Sequence, residues 1–371
     1  MEKQNTIDQL KKMGILNFDI VDSIADWVRV VDIKNNIIYA NKSMIQELDE
    51  DIIGKKCFES YCNNKPCHIC ITDRSIKTGQ VIQKEEEIDG KYYSVKSSPV
   101  RNDDGDIIAA VEVFRDVTRE RKLEKELIEK NKGIRLDLFF SKKIQSKMLP
   151  KRGIYDNMKL DYIYQPSNVL SGDMFDIIRL DDKHWGIYIC DVSGHGIAAS
   201  LMTMFVRQSM LSIAPEKLSP IEVIKDLHSK FKDLGLDYDK YFTMFYVVIN
   251  TETMKMKYIN AGHNATPLLF NNEAWSIIML ENNGYPIMRI FDEVNYEEKE
   301  ISLFKNDAIL FYTDGITEAK NRDGEQFGID RIKQIIIDSD HDLLLALETE
   351  LDKFTWGEKN DDLAAMLIEI M

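Results

Sequence analysis

Four aspartate positions beyond residue 150 fall where folding could bring them together. Asp173 lies in SGDMFD. Asp191 follows the apolar run WGIYIC and precedes the loop VSGHG. Asp314 follows AILFYT and precedes Gly315, and Asp361-Asp362 opens the run LAAMLIEI. Strand ends in one sheet can converge on a point, and a glycine beside them lets backbone approach closely. Clustered carboxylates repel one another unless a cation stands among them. Oxygen-only ligands select hard ions such as magnesium or manganese. Two such ions activate water and clamp a phosphoryl group. Taken singly, each Asp-Gly after a strand also suits an ordinary turn.

A second group of reactive side chains lies near the N-terminus. Cys57, Cys62, Cys67 and Cys70 form C-x4-C-x4-C-x2-C, with His68 inside the last pair. Such a set can wrap zinc or an iron–sulfur cluster, act as a thiol redox switch, or pack as a buried thiol cluster. The fifth cysteine, Cys190, makes the total odd, and MEKQNTIDQLKKMG lacks the apolar core of a secretory signal. Free thiols in a reducing, cytoplasmic setting are therefore expected rather than a disulfide framework.

The elements that must carry these residues read as α+β. Residues 15–117 form a small domain: the runs WVRVVD and NIIYAN flank a turn at Asp32–Asn36, and KYYSVKSSPV and IIAAVEVFRDV flank RNDDGD. Residues 118–150 read as a connecting helix. Leu123, Leu127, Ile134 and Leu138 are spaced 4, 7 and 4, which suits either a solvated spacer or a dimerising seam. Gly133 interrupts that run and Pro150 ends it. Residues 151–371 are β-rich, with IAASLMTMFVRQSML as a helix, and are long enough for one large core.

Charge and hydropathy exclude some classes. Net charge is −15, although residues 117–152 carry a net +7. Phosphate backbones would be repelled by the rest of the chain, so nucleic acid is not an expected partner. The longest stretches free of Asp, Glu, Lys and Arg are 15 residues, short of the roughly 20 that a spanning helix needs, so no membrane segment is expected.

The ordered words SGDMFD, CDVSGHGIAASLMT, YINAGHNATPLL, LFYTDGITEAKNRDGEQFGIDRI and NDDLAAML resemble the PPM-type metal-dependent protein phosphatases, specifically their SpoIIE-like branch, over about residues 139–371. IQSKMLP resembles the helix that leads into that domain. The resemblance implies a β-sandwich flanked by helices and a binuclear Mn²⁺ or Mg²⁺ centre. By motif match, Asp191 would bridge the metals, joined by the Val192 carbonyl, with Asp173, Asp314 and Asp361 completing the set; Asp361 is preferred to Asp362. His195, in the glycine-rich loop, is a candidate acid for the departing oxygen, whereas His263 suits structural hydrogen bonds. Departures from the family pattern are Ser171, Ala364 and Pro286-Ile287-Met288, which bear on loop shape and substrate choice.

DSIADWVRVVDIKNNIIYAN, IIGKKCF and VFRDVTRERKLEKEL resemble a PAS sensor domain joined to a signalling helix. The whole reads as a PAS-regulated protein serine/threonine phosphatase. The resemblance implies a phosphorylated STAS-type anti-anti-sigma protein as substrate, and the PAS domain and helix suggest a homodimer. A non-catalytic adaptor with the same fold is the alternative.

Overall fold

The computed structural model describes residues 18–48, 52–60, 67, 69–194, 196–271, 276–291, 294–339, 342–357 and 361–371. The chain divides into two compact units, Met1–Gly133 and Ile134–Met371.

In the first unit, α1 (Phe18–Asp22), β1 (Trp27–Asp32), β2 (Ile37–Ala40), α2 (Lys42–Leu48) and α3 (Ile71–Thr78) precede β3 (Ile82–Ile88), β4 (Lys91–Arg101) and β5 (Ile107–Asp116). The strands form one antiparallel sheet in the order β2-β1-β5-β4-β3. The β1–β2 turn is made by Asp32, whose Oδ1 accepts the N–H groups of Lys34 and Asn36, both at 2.8 Å. Such Asx bonding is why Asp nucleates turns. One sheet face is the core: Trp27, Val31, Tyr93, Val95 and Phe114 pack there with Met44, Ile52 and Ile71.

Helix α4 (Thr118–Met148) starts where Asp116 Oδ1 accepts the Thr118 N–H at 2.9 Å. It runs without interruption through Gly133, where one glycine weakens helix propensity by only about 1 kcal/mol. Leu123, Leu127 and Ile134 lie more than half exposed along it.

The second unit is a sandwich. Its strands are β6 (Gly153–Tyr155), β7 (Met158–Gln165), β8 (Asp173–Arg179), β9 (His184–Val192), β10 (Tyr241–Asn250), β11 (Lys255–Ala261), β12 (Leu268–Asn271), β13 (Ser276–Met279), β14 (Ile287–Met288), β15 (Lys299–Ser302), β16 (Asp307–Tyr312) and β17 (Leu363–Ile370). Sheet one runs β15-β11-β10-β9-β8, with β14 on the end of β10; sheet two runs β13-β12-β16-β17-β7-β6. Strands β8, β9, β10, β16 and β17 are buried on both faces, so they read as apolar runs rather than alternating ones. On β9, Trp185, Ile187 and Ile189 face the inter-sheet core, while Tyr188, Cys190 and Val192 face outward. Helices α5 (Ile197–Ile213) and α6 (Pro220–Asp233) cover that outer face. Short helix α7 (Asp314–Glu318) follows β16, and α7, α8 (Gly328–Asp338) and α9 (Leu343–Phe354) cover the outer face of sheet two.

The stretch Ile197–Glu216, containing α5, is long and apolar enough by length and composition to cross a membrane. Its apolarity has another cause here: Ala199, Val206, Met210 and Ile213 are buried in the core over sheet one.

Candidate active site

Each sheet delivers a pair of carboxylates to the same edge of the sandwich. In sheet one, Asp173 opens β8 and is the register partner of Asp191, near the end of β9. In sheet two, β16 and β17 are neighbours. Asp314 follows β16 directly, and Asp361-Asp362 precedes β17. The approach is close enough that a Cβ on Gly315 would lie 2.1 Å from the Asp362 carbonyl oxygen, which explains the glycine after Asp314. Gly172 has a similar role: a Cβ there would lie 3.1 Å from the Val192 carbonyl oxygen.

Thr313 ties the two sheets together. Its hydroxyl donates to Asp173 Oδ2 at 2.7 Å, its N–H donates to the Ala364 carbonyl at 3.0 Å, and all three residues are buried. Asp362 does different work from its neighbour. It is buried, and its carboxylate accepts Ser167 N–H at 2.7 Å, the Ser167 hydroxyl at 2.9 Å and Gly172 N–H at 2.7 Å. It therefore holds the loop that leads to Asp173. Asp361 is exposed to solvent, and its Oδ1 accepts the Asp362 N–H at 2.8 Å. Gln145, near the end of α4, grips the same loop from behind. Its amide donates to the Ser171 carbonyl at 2.8 Å and accepts the Ser171 N–H at 3.1 Å. Only 1% of Gln145 is exposed.

The electrostatics follow from burial and crowding. Asp191 is pushed up to about 8, chiefly by burial, then by the like charges of Asp314, Asp361 and Asp362. Asp173 is raised by burial and by Asp191, against the lowering effect of the Thr313 bond. Asp314 is raised by burial, then by Asp361 and Glu318. Among the described residues, no three of His, Cys, Asp or Glu are already grouped closely enough to hold an ion. An all-oxygen set under mutual repulsion suits a hard divalent cation, whose charge removes the repulsion.

The remaining candidates separate. His195 and Cys62 lie outside the described residues. Buried His263 is structural. Its Nε2–H donates to the Tyr312 carbonyl at 3.0 Å, leaving Nδ1 to accept the Thr243 hydroxyl at 3.2 Å. Burial lowers it to about 4, so it is neutral. Cys57, Cys67 and Cys70 belong to the first unit. Pro286-Ile287-Met288 is where β14 pairs with Tyr241 and Phe242. Sequence reasoning missed Thr313 and Gln145, although both stand inside quoted motifs, YTDG and IQSKMLP.

Two helix-flanked antiparallel sheets with acidic residues at one edge define the PP2C-type phosphatase fold. Solved structures agree in fold. The SiaA-PP2C domain of Pseudomonas aeruginosa is 18% identical with a TM-score of 0.56, over 65% of this chain and 98% of that one. The phosphatase domain of SpoIIE from Bacillus subtilis, with a fragment of its regulatory domain, is 14% identical with a TM-score of 0.50, over 79% and 70%. A family model described as Stage II sporulation protein E (SpoIIE) matches residues 181–371, and one described as PAS fold matches residues 21–122. The chain belongs to the SpoIIE family and carries an N-terminal PAS domain. The phosphoserine phosphatase RsbP of Bacillus subtilis (strain 168) is 30% identical over 186 residues, 49% of this chain and 45% of RsbP. The phosphoserine phosphatase RsbU of the same organism is 28% identical over 159 residues, 43% of this chain and 46% of RsbU. The chain thus spans just under half the length of these relatives.

Proposed function

We propose that the chain is a PAS-regulated, metal-dependent protein serine/threonine phosphatase. The observation that carries this reading is the convergence of Asp173, Asp191, Asp314 and Asp361 from two different sheets on one edge of the sandwich. We assign Asp191, the Val192 carbonyl, Asp173, Asp314 and Asp361 as the oxygen set that would hold the ions. When bound, two Mn²⁺ or Mg²⁺ ions would supply a Lewis acid for the phosphoryl oxygens and an activated water. The chain's own residues prepare that place. Thr313 orients Asp173, and Asp362 and Gln145 fix the loop that presents it. His195 is kept as the candidate proton donor to the departing serine oxygen.

The relatives named phosphoserine phosphatases support a phosphoserine protein as substrate, and the SpoIIE-like resemblance supports a STAS-type anti-anti-sigma protein. The exposed apolar face of α4, with Leu123, Leu127 and Ile134, supports a homodimer through that helix. The test is manganese- or magnesium-dependent release of phosphate from a phosphoserine STAS-domain protein by the full chain. Asp191→Ala should remove nearly all turnover, by well over 100-fold, while the far-ultraviolet spectrum is unchanged. Turnover near that of the parent in Asp191→Ala refutes the ligand set. A parent chain that binds the phosphoprotein but never hydrolyses it is the non-catalytic adaptor.

A further inference from the structure

The second unit presents an indole to solvent beside the carboxylate edge. Trp356 is 65% exposed. A ring of that size left in water forgoes the burial that drives folding, so its setting is informative. The Arg322 guanidinium lies over the ring, with Cζ 5.1 Å from the centroid. Among the described residues, its donors meet no acceptor.

The backbone fixes both side chains. Residues 319–327 form a tight hairpin in which Lys320 and Gln326 are bridged. The Phe327 N–H donates to the Ala319 carbonyl at 2.8 Å, and the Asn321 N–H donates to the Glu325 carbonyl at 3.0 Å. Asn321 Oδ1 accepts the Asp323 and Glu325 N–H groups at 3.0 and 2.9 Å, and the Asn321 amide donates to Glu325 Oε2 at 3.0 Å. Glu325 is thus turned to Asn321, and Arg322 near the tip is left to the indole. The Trp356 N–H donates to the Lys320 carbonyl at 3.0 Å, which clips the hairpin to the segment that bears the ring.

That clip lies close to two of the assigned ligands. Asp314 opens α7, and Lys320 is six residues beyond it. With one helical turn in that path, the span is at most about 13 Å. Trp356 precedes Asp361 by five residues. A protein partner covers about 800 Å², a patch roughly 30 Å across. One phosphoprotein at the carboxylate edge therefore reaches Trp356 and Arg322 within the same footprint. Trp and Arg are also the residue types that most often carry binding energy where two proteins meet.

We propose that the Trp356–Arg322 stack is a docking platform for the phosphoprotein substrate and selects a protein over a small phosphate ester. An apolar side chain of the substrate lies on the open part of the indole, and an acceptor oxygen meets the guanidinium fork. The stack acts away from the reacting phosphate: the carboxylates prepare the chemistry, and the stack sets which molecules reach them. The choice of occupant rests on the phosphatase reading.

The test gives the full chain two substrates at saturating manganese, the phosphoserine STAS-domain protein and p-nitrophenyl phosphate. Calorimetry with the same STAS-domain protein lacking its phosphate measures docking without turnover. In Trp356→Ala the ratio of kcat/KM for the phosphoprotein to that for the small ester should fall about tenfold, through KM, and docking should weaken by a similar factor. Arg322→Ala should lower both by about threefold, and Trp356→Phe should restore most of the loss. Melting temperatures should match the parent, since both side chains are exposed. An unchanged ratio in Trp356→Ala overturns the proposal. So does an equal loss on both substrates, which marks a structural role for the ring. A parent that hydrolyses the small ester but neither docks nor hydrolyses the STAS-domain protein overturns the occupant and leaves the phosphatase reading standing. Docking that weakens in Trp356→Ala, in a parent that hydrolyses neither substrate, supports the platform and refutes the phosphatase reading.

Discussion

Asp361 and Asp362 are adjacent and chemically identical, yet removing each should damage a different property. Asp362→Ala removes three hydrogen bonds to a buried carboxylate and leaves the Ser167 and Gly172 N–H groups without it. A bond to a charged acceptor contributes about 1.5–3 kcal/mol, less when several share one carboxylate and water can re-enter at the loop. The sum is about 4 kcal/mol, and for a unit of this size that is about 8–16 °C in melting temperature. Asp361→Ala removes an exposed side chain from a crowd of like charges. Its cost in stability should stay within about 0.5 kcal/mol, while its loss as a ligand should exceed the roughly 100-fold that an outer-shell partner costs. Melting curves in excess chelator separate the fold from metal linkage, and initial rates at saturating manganese report the chemistry. The expected pattern is Asp361→Ala folded and inactive, and Asp362→Ala strongly destabilised. Equal melting temperatures for the two variants would refute the structural role of Asp362. Retained turnover in Asp361→Ala would refute the choice of ligand.

Gln145→Ala should destabilise the second unit by about 2–3 kcal/mol, because the buried Ser171 N–H and carbonyl both lose their partner. Manganese titration should show weakened binding, and an unchanged urea midpoint would contradict this. Neutral His263 sits near 4 in the fold against 6.5 in the open chain. Its contribution is full above 6.5 and is lost as pH falls toward 4, about 1.4 kcal/mol between pH 7.5 and 5.5. Urea midpoints at those two pH values should differ less, by that amount, in His263→Gln than in the parent. Leu127→Asp places a charge on a face that is 60% exposed in the single chain. It should leave the melting temperature unchanged yet shift sedimentation toward monomer and alter the initial rate; dimers of parental strength would make α4 a spacer only.

What was legible in the sequence was local. An Asp at either end of a strand is a strand-end carboxylate wherever the strand goes, so Asp173, Asp191, Asp314 and the Asp361-Asp362 pair could be singled out as candidates from spacing to their own strands. The parts that aim them join distant points: Thr313 to Asp173, Asp362 to Ser167 and Gly172, Gln145 to Ser171. No periodicity encodes such pairs, because each depends on how two sheets and a helix stack. The same limit applies to α5, whose apolar composition alone does not say which sheet face it covers. Asp362 carries the sharpest lesson. Position in a motif distinguishes it from Asp361 only by family resemblance, whereas burial does so by physics. A buried carboxylate already accepting three hydrogen bonds is committed to holding its loop, whereas its neighbour faces solvent. The division of labour between the two is therefore a property of the sandwich edge, where one chain turn must both close the fold and face the reaction.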